Sequence, residues 1–179
     1  MSDLLMGKGV AHVLAETYAQ NPQQYATGHD HAFWNGRLLD YRSAPDGVRG
    51  FMIGAMRDGI SAIREFYKIR EPLYADVLNL VGWPGGMSMP VHADNCQIDG
   101  ASNGLEHRAF SGNYYLTECD GGLLLPKQGL VILPRPGRFV SLPCGLSHPH
   151  GVQRATEGAR ITLTFFLTTD IDKADRGLL

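Results

Sequence analysis

Tyr74-Ala75-Asp76-Val77-Leu78-Asn79-Leu80-Val81 is the stretch at which the apolar period of this chain changes from 3.6 to 2. Alternate side chains of an extended chain share a face, so the stretch reads as a strand. Gly82-Trp83-Pro84-Gly85-Gly86 follows it as turn punctuation. Seven further runs, β-branched or leucine-rich, come after it at 87–93, 111–117, 122–125, 130–133, 138–142, 151–154 and 160–168. Asp120-Gly121-Gly122, Pro134-Arg135-Pro136-Gly137 and Glu157-Gly158 lie between them. Eight short strands separated by turn signals predict an all-β core made of two packed sheets.

Working outward to the N-terminus, the period is helical. Val48, Phe51, Met52, Ala55, Met56, Ile60, Ile63, Phe66 and Tyr67 recur at three and four, and Arg49, Arg57, Asp58, Arg64, Glu65 and Lys68 take the other face. Asp46 is the expected N-cap and Glu71-Pro72 the expected end. Leu4, Ala11, Leu14, Ala15 and Tyr18 predict an earlier helix, weakened by Gly7 and Gly9 and ending before Asn21-Pro22. Residues 23–45 read as a loop with one short strand. The expected fold is mainly β with α: a double-stranded β-helix, or jelly roll, with the N-terminal helices packed on one sheet. Its expected division is a single domain over 1–179, with helical support over 1–70, the jelly-roll core over 71–170 and a tail over 171–179.

A chain of 179 residues, 44 % hydrophobic and 19 % charged, has material for one well-buried core, which excludes wholesale disorder. A formal net charge of −2 creates no field that favours a nucleic-acid backbone or an anionic membrane. No apolar run approaches the roughly 18 residues that span a bilayer, and no basic segment leads into an apolar one at the N-terminus. A cytoplasmic location is the expectation. Cys96, Cys119 and Cys144 are odd in number and lack CxxC spacing, as expected of reduced, small buried side chains.

His92 and Asp94 are one residue apart in a run read as strand, so both point to one face, where a metal could bridge them. His150, also beside a strand, can supply a third ligand. Two histidines and a carboxylate on one side of a metal form the facial triad of non-haem Fe(II) oxygenases. His148 competes with His150 for that place, its alternative being an exposed loop histidine. Arg160 opens the apolar run Ile161-Thr162-Leu163-Thr164-Phe165-Phe166, where a buried charge needs a partner. A hairpin turning at Glu157-Gly158 would bring its guanidinium beside the metal face, and a bound dicarboxylate would match its fork. The ordinary reading of Arg160 is a surface salt bridge. His29, His31 and His107 stand between contacts at a pocket mouth and solvated loop positions, and His12 reads as structural. Trp83 reads either as a pocket wall or as a residue packed at the rim.

Taken in order, these motifs resemble the prolyl-hydroxylase branch of the 2-oxoglutarate/Fe(II) oxygenase superfamily over about residues 74–168. Pro90-Val91-His92-Ala93-Asp94-Asn95-Cys96 is similar to the metal-binding stretch of prolyl 3-hydroxylases. Arg108, with Tyr115-Leu116 seven residues on, resembles their next core strand, and Asp120-Gly121-Gly122 the glycine pair after it. Pro136-Gly137-Arg138-Phe139-Val140 resembles the strand that follows. His148-Pro149-His150-Gly151-Val152, with Gly158-Ala159-Arg160, is similar to their distal motif, including the step of ten from histidine to basic residue, which favours His150 over His148.

The resemblance implies His92, Asp94 and His150 as iron ligands, Arg160 as partner of the distal carboxylate of 2-oxoglutarate, and Tyr115 as a hydroxyl donor to the same carboxylate. It implies Fe(II), 2-oxoglutarate as cosubstrate and O2, with ascorbate as a supporting reductant. The implied reaction releases succinate and carbon dioxide while an unactivated C–H is hydroxylated, and Asp94, in place of the glycine of related halogenases, favours hydroxylation. Trp83, Thr117 and Leu123-Leu124 depart from the tyrosine, asparagine and acidic-threonine pair of prolyl 4-hydroxylases, differences that bear on substrate and not on iron. Trp83, Asn95, His107 and Arg108 are the candidate substrate contacts, and residues 95–109 a candidate lid. About 70 residues precede the barrel, whereas animal prolyl 3-hydroxylases carry additional domains for protein substrates. A small substrate is therefore expected: an amino acid, a proline-like compound, a short peptide or a metabolite. The competing readings are a metal-bearing jelly roll that only binds or senses, and a cupin-like enzyme that uses its metal without 2-oxoglutarate. Arg160 and Tyr115 weigh against the first.

Overall fold

The computed structural model describes residues 6–29 and 32–179. Helix α1 spans Lys8–Gln20 and buries Ala11, Leu14, Thr17 and Tyr18; it begins after Gly7, and Leu4 lies outside the described residues. Strand β1, Leu38–Asp40, is the short strand expected between 23 and 45. Helix α2 spans Asp46–Tyr67 and buries Met52, Met56, Gly59 and Ile63. Both of its expected ends are corrected. Pro45 occupies the N-cap, and Asp46 is instead the first helical residue, where a carboxylate suits the positive helix end and pairs with Arg49 at 3.2 Å. The helix stops before Glu71-Pro72 acts, because Lys68 turns into the left-handed region at φ 57° and its N–H returns to the Arg64 carbonyl.

The eight strands that follow are β2 Tyr74–Trp83, β3 Met89–His92, β4 Arg108–Tyr115, β5 Leu123–Leu125, β6 Leu130–Ile132, β7 Phe139–Pro143, β8 His150–Val152 and β9 Arg160–Thr168. They form a five-stranded sheet in the order β1-β2-β9-β4-β7 and a four-stranded sheet in the order β3-β8-β5-β6. The structure corrects the hairpin expected at Glu157-Gly158: β8 and β9 belong to different sheets, so residues 153–159 cross between them. Asp120 caps that crossing by accepting from the N–H groups of Thr156 at 2.9 Å and Glu157 at 3.1 Å.

Leu39, Leu78, Leu80, Tyr114, Phe139, Leu163, Phe165 and Leu167 face α1 and α2 in one core. Phe165 sets the spacing there. A Cβ on Gly59 would lie 2.7 Å, and one on Gly112 2.2 Å, from its ring, so α2 and β4 approach it only as glycines. Leu38, Val81, Trp83, Tyr115, Leu123, Leu125, Ile132, Val140, Leu142 and Val152 form a second core between the two sheets. The final segment is bound to the body: Leu178 is buried with the helices, Asp175 accepts from the Arg42 guanidinium, and the Asp175 N–H donates to the Ala75 carbonyl at 2.8 Å. No helix among the described residues is long and apolar enough to cross a membrane.

Candidate metal centre

Residues two apart on a strand share a face, so His150 points with Val152 into the space between the sheets. Antiparallel pairing sets His92 opposite His150, with ring centroids 4.5 Å apart. Asp94 is not on the strand as expected. β3 ends at His92, and Asp94 is turned inward because its N–H donates to the Cys144 carbonyl at 2.8 Å. The three side chains still converge: one ligand atom from each of His92, Asp94 and His150 lies within 4.8 Å of the others. Asp94 Oδ1 is 3.5 Å from His92 Nε2 and 3.7 Å from His150 Nε2.

The ring nitrogens are sorted by their outer partners. His92 Nδ1 lies 2.9 Å from the Pro90 carbonyl and His150 Nδ1 3.2 Å from that of His148. A carbonyl only accepts, so both Nδ1 atoms carry the proton and both Nε2 lone pairs face Asp94, the arrangement a metal-ligating imidazole needs. Burial opposes protonation of His92, but Asp94 and the Pro90 carbonyl outweigh it and raise its pKa. Burial prevails at His150, lowering its pKa despite Asp94. Burial would raise Asp94, yet His92, His150 and Ser111 hold it below the usual carboxylate range. A neutral His150, an ionised Asp94 and a buried Asp94 Oδ2 without a partner fit a divalent cation.

At the end of the barrel, Arg160 is 2 % exposed and opposite Trp83 in the β2–β9 register. One Nη donates to the Gln153 carbonyl at 3.2 Å, and Nε is buried without a hydrogen-bond partner among the described residues. Tyr115, also buried, lies one strand over against Thr162. Burial pushes its phenol up to about 12 against the pull of Arg160, so it stays protonated and able to donate. Trp83 is buried: its ring lies 5.4 Å from Arg160 Cζ and 4.3 Å from Arg37 Cζ, and packs edge-on against Phe33 and Trp34.

The other candidates are distributed as follows. His107 and Arg108 both donate to Asp76 Oδ2, at 3.1 and 2.8 Å, and Arg108 stacks on Phe166 at 4.0 Å. His107 is thus held by a carboxylate and does not stand open at a mouth. Asn95 donates to the Arg108 carbonyl at 2.9 Å, and Asn103 to the Asp94 carbonyl at 3.3 Å. Residues 95–107 are therefore a hydrogen-bonded loop tied to the metal-binding stretch, not a loose lid. The His148 ring bonds Ser147 Oγ at 3.0 Å, outside the cluster. His12 pairs with Glu16 on α1, the His29 N–H donates to Asn35 Oδ1, and His31 lies outside the described residues.

Three groups went unread in the sequence. Arg37 is buried, with Nε on the Gly82 carbonyl at 2.9 Å; burial, with Arg160 nearby, pushes its pKa down to about 10. Asp76 sits where β2 changes register between Ala75 and Val77, a bulge that re-aims it toward Arg108. Its only signal was a charge inside an apolar run. Asn79, Thr164 and Asn113 are aligned across three strands, and Thr162 donates to Thr164, which donates to Asn113 Oδ1 at 2.8 Å.

A jelly roll with two histidines and one carboxylate converging between its sheets defines the class: a non-haem metal oxygenase. The family model described as the 2OG-Fe(II) oxygenase superfamily matches residues 78–168, and the chain belongs to that family, whose members use Fe(II), 2-oxoglutarate and O2. Over 96 residues it is 35 % identical to human prolyl 3-hydroxylase 3, covering 46 % of this chain and 13 % of that protein. Over 98 residues it is 31 % identical to mouse prolyl 3-hydroxylase 2, covering 47 % and 14 %. The chain thus spans about one seventh of the length of these relatives. Among solved structures, the viral collagen prolyl hydroxylase of Paramecium Bursaria Chlorella virus-1, in its 2-oxoglutarate complex, superposes with a TM-score of 0.65 at 12 % identity, covering 93 % of both chains. The prolyl-4-hydroxylase of Pseudomonas putida superposes at 0.64 and 17 %, covering 93 % and 90 %. A Trichoplax adhaerens prolyl hydroxylase bound to a hypoxia inducible factor peptide does so at 0.66 and 17 %, covering 96 % and 84 %.

Proposed function

We propose that this chain is an Fe(II)- and 2-oxoglutarate-dependent hydroxylase of an unactivated C–H, acting on an amino acid, a proline-like compound, a short peptide or a metabolite. The observation that carries the reading is the convergence of His92 Nε2, His150 Nε2 and Asp94 Oδ1, with both Nδ1 atoms held by carbonyls. Bound iron with 2-oxoglutarate and O2 supplies the oxidising power, with succinate and carbon dioxide as co-products. The protein's part is placement and exclusion of water. The Pro90 and His148 carbonyls hold the imidazoles to one tautomer and one orientation. Arg160, buried with Nε unpartnered, receives the distal carboxylate of 2-oxoglutarate, and the protonated Tyr115 donates to it. Leu123, Leu125, Val140 and Val152 keep the chamber dry. Arg108, fixed at Nε by Asp76 and laid flat on Phe166, keeps its remaining donors for a carbonyl or carboxylate of the substrate. Trp83 lines the cosubstrate end, and Asn95 links the Arg108 strand to Asp94.

Purified protein supplied with Fe(II), ascorbate and 2-oxoglutarate is expected to release succinate, faster with an accepted substrate. Absence of both succinate release and 2-oxoglutarate binding across a panel of amino acids, peptides and metabolites sinks the proposal. A structure with 2-oxoglutarate bound separates the substrate classes: a closed chamber of a few hundred Å3 supports a small molecule, and an extended groove passing His92 and Arg108 a peptide.

A further inference from the structure

The two oxygens of Asp94 face different surroundings. Oδ1 is the atom 3.5 and 3.7 Å from the two imidazole Nε2 atoms, so it is the one that meets a metal. Oδ2 is buried and has no hydrogen-bond partner among the described residues. On β4, in the other sheet, Ser111 is 2 % exposed, and its Oγ is likewise buried and without a partner among the described residues. Three bonds tie Asp94 to that strand. Its N–H donates to the Cys144 carbonyl at 2.8 Å, the Cys144 N–H to the Ala109 carbonyl at 3.0 Å, and Asn95 Nδ2 to the Arg108 carbonyl at 2.9 Å. Ser111 is two residues beyond Ala109 and on the same face as Asn113 and Tyr115, the face that looks between the sheets. The Ser111 hydroxyl and the Cys144 thiol are the side-chain donors beside the Asp94 carboxylate. A thiol is a weak donor, whereas a hydroxyl rotates to suit its acceptor.

We propose that Ser111 is a positioning residue of the metal centre: its hydroxyl donates to Asp94 Oδ2 and leaves Oδ1 to the metal. Pairing these two buried groups would satisfy both. With Oδ2 engaged, only Oδ1 would be left to meet a metal. This inference rests on the metal-centre reading above.

The test uses metal-free protein titrated with Mn(II), the free ion followed by electron paramagnetic resonance. Ser111→Ala is expected to bind about 10- to 100-fold more weakly than the native protein, the range for loss of an outer partner of a metal ligand. Ser111→Thr, which keeps the hydroxyl, should restore affinity, and Ser111→Cys, similar in volume but a poor donor, should fall between. Metal-free Ser111→Ala should still melt cooperatively, so that weaker metal binding reflects the lost hydroxyl and not an unfolded protein. Native affinity in Ser111→Ala, or a Ser111→Thr as weak as Ser111→Ala, overturns the assignment while leaving the metal centre intact. If Ser111→Ala does not fold, native affinity in Ser111→Cys overturns it. Failure of the native protein itself to bind Mn(II) overturns the metal reading and this inference together.

Discussion

The five-stranded sheet buries both of its faces, and the two are built from different chemistry. Toward α1 and α2 it presents Leu78, Leu80, Tyr114, Leu163, Phe165 and Leu167. Toward the four-stranded sheet it presents Asn79, Ser111, Asn113, Tyr115, Arg160, Thr162 and Thr164 among fewer apolar groups. β9 alternates between these roles at every step, from Thr162 and Leu163 to Thr164 and Phe165. A slip of one residue would turn hydroxyls to the helices and leucines to the chamber, so the alternation fixes the register. One face holds the protein together, and the other receives ligands; the four-stranded sheet contributes His92 and His150 set among leucines and valines, and the loop after β3 contributes Asp94.

The largest test of that division is Asp94→Ala. It is expected to remove Mn(II) binding and succinate release while the metal-free protein melts close to the native one, because removing a buried carboxylate recovers its desolvation cost and so offsets its contacts with His92 and His150. A marked fall in that melting temperature would make Asp94 part of the fold. Next is Arg160→Ala, measured by calorimetry of 2-oxoglutarate binding to the Mn(II) protein without O2. Leaving a buried carboxylate unpaired costs about 3–5 kcal/mol, roughly two to four decades in affinity. Its effect on the unliganded fold should be small, since its observed hydrogen bond is to a carbonyl. Unchanged affinity would remove Arg160 from the cosubstrate site.

On the helix side the readout reverses. Leu163→Ala should cost about 3 kcal/mol in denaturant unfolding and leave metal affinity in place, because Leu163 is fully buried in the helix-side core. A metal affinity that falls with it would couple the two faces. pH probes the triad more gently. The raised pKa of His92 makes it the first ligand to take a proton as pH falls, and the lowered pKa of His150 the second. Mn(II) affinity should therefore begin to weaken above about pH 6.5, where His92 takes its proton, by up to roughly tenfold per unit, and fall more steeply below it, where His150 follows; a flat profile from about pH 8 to 5 would exclude the histidines as ligands. The smallest effect belongs to Thr164→Val, which removes the donor to Asn113 Oδ1 and should cost about 1 kcal/mol of stability. A loss as large as that of Leu163→Ala would erase the distinction between the faces.

The sequence by itself determined the elements and the chemical set. The change of period at Tyr74, eight strands, two helices, and the trio His92, Asp94 and His150 are legible because side-chain alternation and ligand type are local properties of the chain. Helix ends were less legible: Lys68 stops α2 through a left-handed turn that no residue type announces. Only the tertiary structure decided which strands share a sheet. β8 and β9 read as a hairpin but belong to opposite sheets, since pairing partners far apart in sequence outbid the nearest neighbour. The same holds for Arg37, Asp76 and Ser111, single polar residues in apolar surroundings. Their roles come from what long-range packing sets beside them: the rings of Phe33 and Trp83, the guanidinium of Arg108, and the carboxylate of Asp94.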